Sequence, residues 1–255
     1  MKKIIKYLFL LTGGSFILAS CNDFLDREPL DSVTPDNFFF TENDLAAYAV
    51  KHYNFTTHEG FNAGIWKNDN ATDNQAATDY DKKWIPGQWK VPEAYDNPAS
   101  NDPWYFSAIR EANYFLETVV PRFEKGEIEG SETNIKHYIG EMYFLRAKNY
   151  LSKLETFGDF PIIKNTLPDE SESLIQASKR APRYKVAHFI LEDLDQAISL
   201  LTNNISGGKN RITKNAALLL KSRAALYEAS WLTYHKGTAL VPGGPGWPGK
   251  EKGAC

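Results

Sequence analysis

The sequence predicts an all-α fold in which helical hairpins are separated by long irregular loops. Five segments carry apolar residues at three- and four-residue intervals, which is the spacing of one helix face. No segment shows the alternation of apolar and polar residues that a major sheet would need. A short internal repeat adds to these two observations.

The repeat lies in two of the predicted helices. Residues 146–150 and 223–227 both read Arg-Ala-x-x-Tyr, 77 residues apart. A small Ala lets two helices approach closely, and the Tyr fills the next groove. This stacking is typical of tetratricopeptide hairpins, whose repeat is about 34 residues long. A five-residue match between two amphipathic helices can also arise by coincidence.

The first helix is predicted to begin after Thr41, because Asp44 stands at the capping-box spacing. Its inner face is expected to carry Leu45, Tyr48, Ala49, His52 and Tyr53. The aromatic residues 38–40 just upstream are apolar enough to dock on the helical body. The second helix is predicted to open at Asp102-Pro103 and to end at Pro121. Its face carries Ile109, Ala112, Leu116 and Val119.

Three further helices follow. The third is predicted from about Thr133 to Phe157, because Gly158 is a good C-capping residue. The fourth covers about Tyr184 to Leu201, and the fifth starts after Thr213. The expected inner residues are Tyr138, Met142, Leu145 and Asn149 in the third helix, Val186, Phe189, Ile190, Leu194, Ala197 and Leu201 in the fourth, and Ala216, Leu220, Ala224, Tyr227 and Trp231 in the fifth.

Residues 1–20 have the pattern of a lipoprotein signal peptide. A basic start precedes a short apolar run, which Lys6 and a Gly pair interrupt, so it falls short of the roughly 20 apolar residues of a membrane span. The run closes with Leu-Ala-Ser-Cys21, and Cys21 is predicted to carry the lipid and to become the first mature residue. The alternative is an ordinary secreted chain with an incidental Cys. Residues 21–40 are predicted to be the lipid anchor and tether.

The charge and the cysteine content argue against a nucleic-acid-binding protein and against a disulfide-bonded one. Removal of Lys2, Lys3 and Lys6 leaves 26 basic against 32 acidic residues, a formal charge near −6. This balance argues against nucleic acid as a partner. If Cys21 carries lipid, Cys255 has no disulfide partner within the chain.

No catalytic, metal or cofactor motif is predicted. The five His residues lack a ligand spacing such as His-Glu-x-x-His, and no Gly-x-Ser-x-Gly elbow occurs. Residues 244–250 match Gly-x-x-x-x-Gly-Lys, but Glu251 replaces the required Ser or Thr. Pro245 and Pro248 also remove backbone N–H donors that would hold phosphate. Carboxylate pairs are plentiful, but charged residues on helices are usually solvated, so no enzyme activity is predicted.

Residues 56–101 form a polar, loop-like stretch that contains several aromatic residues. A structureless loop of this length inside a domain is uncommon and often functional. A pyranose has an apolar C–H face that stacks on a ring and hydroxyls that bond to Asn, Asp or Gln. Tyr80, Trp84 and Trp89 are therefore candidate ligand-binding residues. The alternative is that these rings fasten the loop to the helices.

Eight motifs follow one another along the mature chain: Cys21-Asn-Asp-Phe-Leu-Asp26, Ala71-Thr-Asp73, Trp104 through Ile109 to Asn113, Gly140-Glu-Met-Tyr-Phe-Leu-Arg-Ala147, Phe157-Gly-Asp-Phe-Pro161, Asp193-Leu-Asp-Gln-Ala197, Arg211-Ile-Thr-Lys-Asn-Ala-Ala217, and Tyr234-His-Lys-Gly237 with Gly244-Pro-Gly-Trp-Pro-Gly249. In this order they resemble the SusD/RagB family of outer-membrane nutrient-binding lipoproteins of Bacteroidetes.

The resemblance implies a scaffold of atypical tetratricopeptide repeats, anchored by lipid at the cell surface of the outer membrane. It implies that the protein caps a SusC-like TonB-dependent transporter and captures oligosaccharides, or in some members peptides, for uptake without catalysis. Asp73 lies where the starch-binding member of the family has a sugar-contacting Asp, so Asp73 joins the candidate ligand-binding residues.

The chain departs from the family in length, since family members are usually about twice as long. Residues 41–255 would correspond to the N-terminal helical domain, so the chain is expected to be a fragment that lacks the C-terminal half. Helix faces that this half would cover are expected to be exposed, with poor solubility as the result. The alternative function is a membrane-anchored repeat scaffold for protein or peptide interaction, without its own sugar site.

Overall fold

The computed structural model of the chain describes residues 38–53, 55, 85, 104–205 and 210–247. The secondary structure of these residues consists of α-helices and two isolated bridges, Thr41 to Glu129 and Phe160 to Ala181. The helices are α1 (Glu42–Lys51), α2 (Ser107–Glu124), α3 (Glu132–Phe157), α4 (Ser171–Ala177), α5 (Arg183–Leu200) and α6 (Lys214–Tyr234).

Helix α3 is the centre of the packing. It contacts α1, α2, α5 and α6, and α5 also packs against α6. The consecutive helices α2 and α3 form one hairpin, and α5 and α6 form a second. The prediction of an all-α fold built from tetratricopeptide-like hairpins is therefore confirmed.

The burial of α3 extends beyond the predicted stripe. Tyr138, Met142 and Leu145 are buried as expected, whereas Asn149 is only half-buried. Fourteen of the 26 residues of α3 are buried, because other helices cover it on several sides. Gly158, with φ at 74°, ends the helix where the sequence predicted.

The first helix begins as predicted. The Thr41 hydroxyl accepts a hydrogen bond from the Asp44 N–H at 3.3 Å, and the Asp44 carboxylate accepts one from the Thr41 N–H at 2.9 Å. Phe39 is fully buried, with its ring 5.0 Å from the Tyr48 ring and 5.3 Å from the Phe115 ring. Burial of such a side chain contributes roughly 1.5–3 kcal/mol. The expected docking of this segment on the helical body is confirmed for Phe39.

Glu42 joins the start of α1 to the start of α3. Its carboxylate accepts hydrogen bonds from the Ser131 N–H at 2.8 Å and from the Asn134 amide at 3.1 Å. The carboxylate thus stabilises the N-terminus of α3, where the Ser131 side chain makes no capping bond. A Cβ at Gly130 would lie 2.7 Å from the Glu42 Cβ, so only glycine fits beside this contact.

Both predicted ends of the second helix were wrong. The helix begins at Ser107 instead of Asp102-Pro103, with Phe106 at the N-cap position and no side-chain cap. Pro121 lies inside the last turn and does not end the helix. A proline lacks only its own N–H donor and its fixed φ is compatible with a helix, so the three residues after it remain helical. Gly126, with φ at 71°, ends the helix instead.

The turn at Gly126 is a Schellman motif. The Gly126 N–H donates to the Phe123 carbonyl at 3.0 Å, and the Glu127 N–H donates to the Arg122 carbonyl at 3.0 Å. Two carbonyls at the end of α2 therefore gain partners that the helix itself does not supply.

Helix α5 lies within one residue of its predicted bounds, and all six of its predicted inner residues are buried. In α6, of the predicted face only Ala224 is fully buried, and the other four residues are half-buried. The buried Glu228 of α6 instead accepts a hydrogen bond from Arg183 Nε of α5 at 2.8 Å. An ionic contact therefore replaces part of the expected apolar face.

The outer side of α6 carries exposed apolar residues. Leu219 is 74% exposed and Leu226 is 69% exposed. Helix α4 was not predicted, because its seven residues include no buried one and so have no apolar stripe.

The two copies of the internal repeat differ in the burial of their residues. Ala147 and Ala224 are both buried, which agrees with close helix approach at these positions. Arg146 is buried but Arg223 is exposed, so the two copies of the motif have different surroundings.

Candidate functional site

The predicted ligand-binding residues Asp73, Tyr80, Trp84 and Trp89 and the predicted lipid attachment residue Cys21 lie outside the described residues. The structure does describe the residues that flank the predicted loop. It therefore shows how the residues on either side of this segment contact the helices.

Tyr53 fixes the end of the chain that leads into the loop. Its hydroxyl donates to Glu141 Oε1 at 2.7 Å and accepts from the Ile212 N–H at 3.0 Å. Burial, together with the neighbouring Glu141 carboxylate, raises the pKa of the Tyr53 phenol well above its ordinary value. Phe55 packs edge-on against Tyr53 with a centroid distance of 5.4 Å.

The carboxylate of Glu141 is the centre of a buried polar network. Besides Tyr53, it accepts hydrogen bonds from Arg211 Nε at 2.9 Å and from His137 Nε2 at 3.1 Å. The Nδ1 atom of His137 accepts from the Thr202 N–H at 3.2 Å, so the proton of the neutral ring is on Nε2. Arg211 also reaches a backbone carbonyl of α1, so this network joins α1, α3 and the segment before α6.

Trp104 fixes the other end of the loop. Its ring lies 3.9 Å from the Phe157 ring and 5.8 Å from the Phe160 ring, measured between centroids. The guanidinium of Arg180 lies 4.8 Å from the centroid of the Trp104 ring. Phe106 stacks on Phe160 at 5.0 Å. This aromatic cluster explains why α2 begins later than the sequence predicted.

A second polar network holds the segment after α3. Asn113 donates from Nδ2 to the carbonyls of Ile163 at 2.9 Å and Asn165 at 3.3 Å, and its Oδ1 accepts from Arg146 at 2.8 Å. The Tyr150 hydroxyl accepts from the Ile163 N–H at 2.8 Å. Burial raises the pKa of Tyr150 to about 12.

A cavity of about 480 Å³ lies between the start of α2, the segment after α3 and α4. Its apolar walls are formed by Trp104, Phe106, Ile109, Pro161, Ile163, Leu167 and Leu174. Its polar lining comes from Arg110, Asn113, Asn165, Ser178 and Arg180. The aromatic residues of the predicted loop do not indicate this cavity, because its lining residues are spread over three separate segments of the chain.

The described part of the chain contains no cluster of three or more His, Cys, Asp or Glu residues that could hold a metal ion. None of its helices is long and apolar enough to cross a membrane.

Comparison with known proteins identifies the family. Residues 23–226 match the SusD-like family model described as "Starch-binding associating with outer membrane". SusD-like protein P38 of Formosa agariphila is 26% identical over 228 residues, which are 88% of this chain and 42% of that protein. SusD-like protein P2 of the same organism is 26% identical over 219 residues, 84% of this chain and 40% of that protein. The chain spans less than half the length of these relatives.

A solved structure has a similar fold. The crystal structure of a SusD-like protein from Bacteroides fragilis matches with a TM-score of 0.59 and 26% identity, over 80% of this chain and 39% of that chain. The fold thus defines a tetratricopeptide-like helical scaffold. The chain belongs to the SusD-like family, as the resemblance of its motifs indicated.

Proposed function

We propose that this chain is a cell-surface lipoprotein that binds glycans and delivers them to a SusC-like TonB-dependent transporter. The observation that carries the proposal is the match of residues 23–226 to a family described as starch-binding and associated with the outer membrane. Under this proposal residues 1–20 are the signal peptide, residues 21–40 the anchor and tether, and residues 41–255 the helical domain.

The contacts of the residues that flank residues 56–101 support a binding role for that segment. Tyr53 and Trp104 are each held by the helical scaffold, Tyr53 through Glu141 and Trp104 through Phe157 and Phe160. Binding residues are often carried by loops that a rigid scaffold positions. In the proposal, Trp84 and Trp89 stack on sugar rings, while Tyr80 and Asp73 bond to sugar hydroxyls.

Isothermal titration of the purified chain against starch and other soluble oligosaccharides tests the binding step. We expect Trp84→Ala or Trp89→Ala to weaken binding by at least about fivefold, since a lost aromatic stack is worth roughly 1 kcal/mol. Trp247→Ala is the control, because Trp247 packs near Tyr184, far along the chain from the loop. No binding to any glycan, with retained association with a transporter, would favour the repeat-scaffold alternative.

The anchor and the partner need separate tests. Cys21→Ser should release the chain from the membrane fraction, because no acyl chain would then be attached. Mild detergent extracts of the outer membrane should contain the wild-type chain together with a SusC-like transporter. A chain that stays in the membrane after Cys21→Ser would contradict the lipid anchor, whatever its glycan binding.

A further inference from the structure

We propose that the cavity beside Trp104 binds a small aromatic carboxylate. The described residues that line this cavity combine apolar walls with an excess of positive charge. The proposal does not rest on the glycan function, because none of the predicted glycan-binding residues is part of its evidence.

The size and the walls of the cavity suit a flat apolar group. Its volume of about 480 Å³ lies within the range of about 300–1,000 Å³ that is usual for small-molecule sites. Trp104 and Phe106 line the cavity together with the aliphatic residues Ile109, Leu167 and Leu174. A free sugar would leave several hydroxyls without partners against these walls, which is costly.

The charged lining is entirely basic. Arg110 and Arg180 both line the cavity, and no acidic residue is found among the described residues that line it. Neither guanidinium has a carboxylate within ion-pair distance in the part of the chain that the structure describes. Arg180 stacks its face on Trp104, which leaves the N–H groups at its edge to donate to a carboxylate.

The start of α2 adds to the positive potential. The helix begins at Ser107, beside the lining residues Phe106 and Ile109, and it has no side-chain cap. Its first turn contains no acidic residue. The Glu111 carboxylate, one turn further on, hydrogen-bonds to Ser107. The N–H groups at the start of this 18-residue helix add partial positive charge at this end of the cavity.

The wall of the cavity is held in place before any ligand arrives. The Asn113 side chain donates to the carbonyls of Ile163 and Asn165, and its oxygen accepts from Arg146. Asn113 thus shapes the wall, while the two arginines remain to bind the carboxylate. A preformed site loses little ordering entropy when a ligand binds.

The test is calorimetric titration of the purified chain with three probes: 2-naphthoate, the neutral 2-naphthalenemethanol, and octanoate. We expect 2-naphthoate to bind about tenfold more tightly than the alcohol, because charge-assisted hydrogen bonds replace neutral ones. Equal affinity for the acid and the alcohol would overturn the anion part of the proposal. Tighter binding of octanoate would show an acyl-chain site and overturn the aromatic part.

Matched variants locate the binding. Leu174→Trp places a large ring in the cavity and should abolish binding of 2-naphthoate. Ile175→Trp is the control, because Ile175 is the next residue of α4, is 62% exposed and does not line the cavity. Arg180→Gln should weaken binding of the acid by about tenfold without changing binding of the alcohol. Equal effects of the two tryptophan variants, or no binding to the wild type, would overturn the proposal.

Discussion

Arg146 on α3 and Asp193 on α5 form a buried ion pair with two parallel hydrogen bonds. Arg146 Nε donates to Asp193 Oδ2 and Nη2 donates to Oδ1, both at 2.7 Å. The side chains are 7% and 4% exposed. A buried pair is tolerated only when its geometry is good and its remaining donors are bonded. Here the third nitrogen of Arg146 donates to Asn113.

Arg146→Met should destabilise the fold by about 3–5 kcal/mol, because Asp193 would be left as a buried charge without its partner. The double variant Arg146→Met/Asp193→Leu should recover much of this loss, since neither charge then remains. Urea unfolding followed by circular dichroism measures both. Lys221→Met is the control: it removes the exposed pair with Asp195 and should cost less than about 1 kcal/mol. A loss as large in the control as in Arg146→Met would contradict the argument.

Gly140→Ala should also destabilise the protein, although Ala favours helices. A Cβ at Gly140 would lie 3.0 Å from Leu201 Cγ and 3.1 Å from Leu200 Cβ, at the end of α5. The overpacking cost of about 1–3 kcal/mol outweighs the gain of about 1 kcal/mol that Ala brings to an open helix position. Thermal unfolding shows whether Gly140→Ala lowers or raises the stability of the protein. Ser152→Ala, at an exposed site on α3, should be neutral or slightly stabilising.

Tyr53→Phe should lower the free energy of unfolding by about 1–3 kcal/mol, because the Ile212 N–H loses its acceptor. The Glu141 carboxylate loses one donor at the same time. Chemical denaturation is the measurement, and Tyr234→Phe at an 86% exposed position is the control. An unchanged stability of Tyr53→Phe would show that the network does not support this end of the loop.

Glu111 should make stability depend on acid pH. The hydrogen bond from His52, at 3.2 Å, holds the pKa of the Glu111 carboxyl below its ordinary value of 4.5. A lowered pKa gives stability that is present above about pH 4.5 and is lost as the pH falls through the folded-state value. Unfolding at pH 6 and pH 3.5 should therefore show that Glu111→Gln is destabilising at pH 6 and less so at pH 3.5. A difference in unfolding free energy that is the same at both pH values would contradict the lowered pKa of Glu111. Glu155→Gln on α3 is the control for the change of charge.

The exposed side of α6 should govern solubility. Leu219→Gln with Leu226→Gln should raise the concentration at which the purified chain stays monodisperse, because both side chains lie mostly in water. The unfolding midpoint should stay unchanged. Light scattering and a thermal melt measure the two quantities, and a lower midpoint would show that these leucines pack inside the fold.

Local sequence patterns predicted some helix ends better than others. The end of α3 followed from Gly158, and the start of α1 from the Thr41 capping box, because each signal lies within one turn of the helix end. The start of α2 was predicted four residues early, with Asp102 at the cap position that Phe106 occupies. Its position depends on contacts of Trp104 and Phe106 with aromatic residues about 50 positions away, which local spacing does not contain.

Local sequence patterns also could not predict which buried charged residues pair with each other. From helical spacing alone, Glu141 and Arg146 would be expected to lie on a solvent-exposed face. Their partners, Arg211 and Asp193, lie 70 and 47 residues away in the sequence. All four residues nevertheless belong to motifs that identified the family. The motifs thus mark contacts of the helical scaffold, while the predicted ligand residues of the loop remain predictions.

The contact of Glu42 with Ser131 sets an order of events during synthesis. The two residues are 89 positions apart, so the ribosome needs roughly 4–18 s to reach Ser131 after Glu42 at 5–20 residues per second. A ten-residue helix is unstable alone in water, and α1 has ten residues. Helix α1 therefore cannot gain its contact with Ser131 until the start of α3 has been synthesised, and before then we expect its ten residues to be largely unfolded.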